Sequence, residues 1–147
     1  HTPQIDYGEI LAKLNSIKNG KEPYKKEELD KLKKSIFRDK RGSQKKRDSL
    51  ELIQILHEKE FVMKLAHKRF PDFSKLEKEK KKSIKSGIIK DLISRDQEDL
   101  KTYEENATNF SSSDGSMNKL VESKINSQKR KVQVKTKLLE WVDSGEF

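Results

Sequence analysis

Apolar residues in this chain recur at intervals of three and four, and that spacing directs it to helices rather than strands. Tyr7, Ile10, Leu11, Leu14 and Ile17 form a first stripe. Ahead of it Asp6-Tyr7-Gly8-Glu9 has the form of a capping box, and Asn19-Gly20 supplies the stop. Pro23 marks the next boundary. Leu29, Leu32, Ile36 and Phe37 then share one face of a second helix over residues 25–40, ended by Gly42. Asp48-Ser49 reads as the cap of a third helix reaching residue 70. Its Leu50, Leu52, Ile53, Ile55, Leu56, Phe61, Val62 and Leu65 make it the expected centre of the core.

Pro71-Asp72 breaks the chain, and Ser74-Lys75-Leu76-Glu77 has capping-box form. Ile84, Ile88, Ile89, Leu92, Ile93, Leu100 and Tyr103 extend a further stripe past Gly87, as one long helix or two joined near Ser86-Gly87. Residues 104–116 are rich in Asn, Ser and Asp and read as a mobile loop. A last helix follows over residues 117–142. Val121, Ile125, Gln128, Val132, Lys135, Leu139 and Val142 occupy its heptad-like positions. Two polar occupants make a poor coiled-coil seam, so the expected packing is through an anchor of Leu138, Leu139, Trp141 and Val142.

The fold class read from this pattern is all-α: an irregular bundle of five or six helices, with a Ser/Asn-rich loop before a long C-terminal helix. The expected organisation is a basic helical bundle over 1–103, a flexible loop over 104–116, and a C-terminal helix over 117–147 that packs on the bundle or on a partner. Only 31% of residues are apolar and 40% are charged, so the core must be thin and much of each helix must face water or a partner. Three Pro and six Gly suit helices better than a sandwich or barrel. The absence of Cys removes disulfides, thiolate metal sites and Cys nucleophiles together, and fits a reducing compartment. No apolar run approaches the roughly 18 residues of a membrane span, and a peripheral membrane role would need apolar residues beside the cations.

Positive charge is concentrated. Residues 21–47 hold twelve Lys or Arg against five acids, a net +7 in a chain whose total is +9. The densest part places Arg38, Lys40, Arg41, Lys45, Lys46 and Arg47 in ten residues around Gly42. Clusters of that density bind polyanions by displacing condensed counterions. Lys129, Arg130 and Lys131 form a second cluster, and residues 75–85 a third. The alternative is that the charge only keeps exposed helices soluble. Alternating acids and bases over 25–34 fit that alternative, whereas a lone Asp39 among six cations over 38–47 does not.

The expected partner is therefore DNA or RNA, nucleosomal DNA included, contacted through phosphate with little sequence selectivity. The chain would then be a module of a larger nuclear protein. The competing expectation is a scaffold that docks another protein of a complex through Leu138, Leu139 and Trp141. Among the aromatics, Tyr24 beside Lys25-Lys26 is the candidate for stacking on a base. Ser49 beside the cations is a candidate phosphate acceptor.

No catalytic machinery is expected. His57-Glu58-Lys59-Glu60-Phe61 begins like a zinc-protease helix but has Phe61 where the second His belongs. All six glycines are isolated, so no phosphate-cradling glycine loop can be built. Neither a cofactor nor a small-molecule substrate is expected.

Overall fold

The computed structural model describes residues 5–109 and 115–147, with side chains over 5–107 and 119–147. Among these residues all regular structure is helical: α1 (Tyr7–Lys18), α2 (Lys26–Arg38), α3 (Gln44–Arg69), α4 (Lys78–Asn109) and α5 (Gly115–Ser144), with a 3-10 turn at Phe73–Lys75. Contacts divide the chain into two compact units, His1–Glu60 and Phe61–Phe147, with the division falling inside α3.

In the first unit α1, α2 and the start of α3 run up, down and up. The Asp6 carboxylate caps α1, accepting from the Gly8 and Glu9 amides at 2.9 and 3.3 Å. At the other end Gly20 adopts φ 78°, which an L side chain resists. That lets the Lys21 amide reach the Ser16 carbonyl at 2.8 Å and the Gly20 amide reach that of Ile17 at 3.2 Å, a Schellman closure. Lys59 adds a donor to the last turn of α1, 3.3 Å from the Lys18 carbonyl. Leu14, Ile17, Leu29, Ile36, Ile53, Ile55 and Leu56 are buried.

Two expectations fail at the α2–α3 junction. Helix α2 ends at Arg38, and α3 begins at Gln44 rather than Asp48. The cap is Ser43, whose hydroxyl accepts from the Lys46 amide at 3.1 Å. Ser49 lies a turn inside the helix, fully buried, with its hydroxyl donating to the Lys45 carbonyl at 2.7 Å. Burial removes Ser49 as a phosphate acceptor.

In the second unit the end of α3 buries Val62 and Ala66, and the His67 ring meets the buried Phe73 edge-on at 5.2 Å. Ser74 lies within the 3-10 turn and does not cap α4. The Glu77 carbonyl opens that helix by accepting from the Lys81 amide at 3.0 Å. Helix α4 is continuous past Gly87 and runs on to Asn109, beyond the expected start of the loop at residue 104. Residues 110–114 of that loop lie outside the described residues.

Helices α4 and α5 pack antiparallel, and the packing seam is the heptad face whose polar members had argued against it. Gln128 and Lys135 are 4% and 7% exposed, beside buried Val134, Leu138 and Val142. Their polar ends converge on one residue of α4. The Lys135 ammonium lies 2.6 Å from the Asp96 carboxylate, and the Gln128 amide donates to the Asp96 carbonyl at 2.9 Å. A buried polar residue is tolerable where its partner is fixed opposite it. The apolar pattern of α5 alone could not disclose Asp96.

Candidate nucleic-acid interface

The five residues between α2 and α3 are held by side chains, although they contain a glycine. Asp39 ends α2 in an extended conformation, and its carboxylate takes four donors. Tyr7 of α1 donates its hydroxyl at 2.6 Å, and Arg41 donates through Nε and Nη2 at 3.0 and 3.1 Å. The Arg41 amide adds a further bond at 3.1 Å. These hydrogen bonds, led by the Arg41 guanidinium and then the Tyr7 hydroxyl, hold the Asp39 carboxyl well below the usual carboxylate range. Burial, and then the Asp39 contact, push the Tyr7 phenol up to about 12. Lys46 reaches back from α3 to donate to the Asp39 carbonyl and, at 3.1 Å, to the Arg41 carbonyl.

That network sorts the six cations of the cluster. Arg41 and Lys46 build the loop. Arg47 bonds Gln44 Oε1 at 2.9 Å, and Gln44 in turn donates to Asp48 at 2.8 Å. Arg38, Lys40 and Lys45 are exposed and make no side-chain bond or ion pair with the described residues. The sequence grouped all six as equivalent. The chemistry available at this site is three exposed cations, without partners among the described residues, on and beside a braced turn.

Lys129, Arg130 and Lys131 are also exposed and without partners among the described residues. They do not join the third cluster, in which Lys82 meets the Asp143 carbonyl at 3.4 Å and Lys85 covers the Phe147 ring at 4.5 Å. The register set by Asp96–Lys135 and by Lys124 over Tyr103 at 4.6 Å puts residues 129–131 opposite the middle of α4. Along the helix axis that is roughly 27 Å from residues 78–82.

The aromatic side chains depart most from expectation. The Tyr24 hydroxyl is 2.5 Å from His57 Nδ1 and its ring meets the imidazole edge-on at 5.8 Å, so Tyr24 is committed to its own unit. Asp30 faces the other imidazole nitrogen at 3.3 Å. Phe37, expected on the core face of α2, is 63% exposed. Leu29 and Ile36, with half-buried Leu32 between them, already complete the inward stripe, and Phe37 lies about 100° around the helix from Ile36. At the proposed docking point Leu138 is fully buried within the hairpin, while Leu139 and Trp141 are half-buried. Leu138 is thus withdrawn from that surface, while Leu139 and Trp141 keep part of their area exposed.

Compared with known proteins, the chain matched no family, no characterised protein and no solved structure. No described helix is long and apolar enough to cross a membrane.

Proposed function

We propose that this chain is a non-catalytic module that binds nucleic acid through phosphate, with the α2–α3 turn as its principal contact and a larger nuclear protein as its setting. One observation carries the reading: Arg38, Lys40 and Lys45 have no partners among the described residues and lie on or beside a turn whose shape is fixed by Asp39, Tyr7, Arg41, Lys46 and Ser43. Charges that serve solubility alone need no such bracing. Lys129, Arg130 and Lys131 supply a second, separate contact.

The test is fluorescence anisotropy against duplex DNA, single-stranded DNA and RNA over a series of salt concentrations. Three phosphate contacts give log K against log salt a slope of about −2 to −3. The triple variant Arg38→Gln, Lys40→Gln, Lys45→Gln should weaken binding to every polymer and flatten that slope. Arg41 and Lys46 are left intact so that the turn survives. Unchanged affinity and slope in the triple variant would overturn the assignment.

A further inference from the structure

We infer that Phe37 is a stacking platform for an unpaired base, which makes the preferred ligand of the basic turn a single-stranded nucleic acid. The inference rests on the phosphate-binding reading above. Phe37 is the most exposed aromatic among the described residues, at 63%, against 48% for Phe61 and 43% for Phe70. It stands on the last turn of α2, whose inward positions Leu29 and Ile36 are fully buried. The core therefore makes no demand for an aromatic at this position.

Its surroundings select the ligand. The Lys33 ammonium lies 5.8 Å from the ring centroid, and Lys34 and Arg38 are exposed on neighbouring positions of the helix. Lys40 follows in the turn without a partner among the described residues, and Asp39, the adjacent acid in the chain, is already taken by Tyr7 and Arg41. With Lys33 over one face, the rest of the exposed ring, on a helix end that also carries Lys34 and Arg38, matches a base with its flanking phosphates. Duplex bases are stacked on one another and offer no free face, so a duplex could use the cations but not the ring. A lipid surface takes a stripe of apolar side chains beside the cations, whereas α2 exposes only this ring.

The experiment uses the 147-residue chain, a labelled 15-nucleotide oligo-U, a labelled 15-base-pair duplex, and vesicles containing phosphatidylserine. Phe37→Ala should weaken oligo-U binding on the order of tenfold and leave duplex binding unchanged. Phe37→Trp should retain affinity, and Phe37→Leu, equally apolar but without a π-face, should behave as Ala. The salt slope should not move in any of the three, because the ring neutralises no phosphate. Circular dichroism checks that each variant keeps the wild-type helix content.

Equal losses on oligo-U and duplex, or full oligo-U affinity in Phe37→Leu, would overturn the inference. Loss confined to vesicle binding would do the same and assign the ring to lipid. If Phe37→Ala has no effect on oligo-U while neutralising Arg38, Lys40 and Lys45 does, the platform falls and the phosphate reading stands. If the wild-type chain binds neither polymer at low salt, both fall together.

Discussion

Lys135 lies 7% exposed in the seam between α4 and α5, its ammonium 2.6 Å from Asp96. Removing one member of such a pair strands the other in a poorly solvated site. Lys135→Ala should therefore lower stability by about 2 kcal/mol in a urea melt. Adding Asp96→Leu to Lys135→Leu should recover much of the loss, and a double variant as unstable as Lys135→Ala would contradict this. His57 gives a residue-scale prediction in pH. Burial pushes its imidazole below the ordinary value, with Lys33 and Lys26 adding to the depression and Asp30 opposing it. The unfolded chain then takes up the proton first as pH falls below about 6.5, so the fold loses stability below that point. The midpoint of thermal unfolding should drop between pH 7.5 and 5.5, and by less in His57→Gln; equal drops would exclude His57 as the source. At the opposite extreme, Tyr7 is held neutral up to about 12, so its contribution fades as pH rises from about 10, where the unfolded phenol ionises. Single residues were unevenly legible. The Asp6 cap and the Gly20 stop declare themselves locally, whereas the fitness of Lys135 for a seam depends on Asp96, 39 positions away in the sequence.

At the scale of the element, helix existence was readable, as were the starts of α1 and α2, but the starts of α3 and α4 were not. Asp48-Ser49 offers the residue types of a cap, but Ser43 holds the position because the chain leaves α2 at Asp39 and turns within five residues. Ser43→Ala should lower stability by about 1 kcal/mol, and Asp48→Ala by less, as measured by urea denaturation. Matching losses would return the cap to Asp48. Helix α4 shows the converse error. Residues 104–109 have the composition of a loop, yet they continue the helix to Asn109. Local propensity is a weak prior against a partner helix packed alongside. Phe37 was misplaced for a related reason: an apolar residue beside a stripe looks like part of it until the angle around the helix is counted.

For the molecule as a whole, the helical class and the dense positive segment were legible in one dimension, but neither the division inside α3 nor the sorting of the cations was. Six Lys and Arg between residues 38 and 47 look alike in one dimension. Only the fold reveals that Arg41 and Lys46 brace the turn and that Arg38, Lys40 and Lys45 have no partner among the described residues. The first turn of α3 carries Lys45, Lys46 and Arg47 with no acid, at the end of a helix that already bears partial positive charge. Each exposed cation there opposes the dipole by about 0.3–1 kcal/mol. Lys45→Glu should thus raise the unfolding midpoint while abolishing much of the affinity for polyanions, and a bound polyanion should raise the midpoint of the wild type. Under the proposed phosphate-binding role, a selection for thermal robustness alone would erode this turn, because the charge that weakens its helix end is the charge that would hold a phosphate.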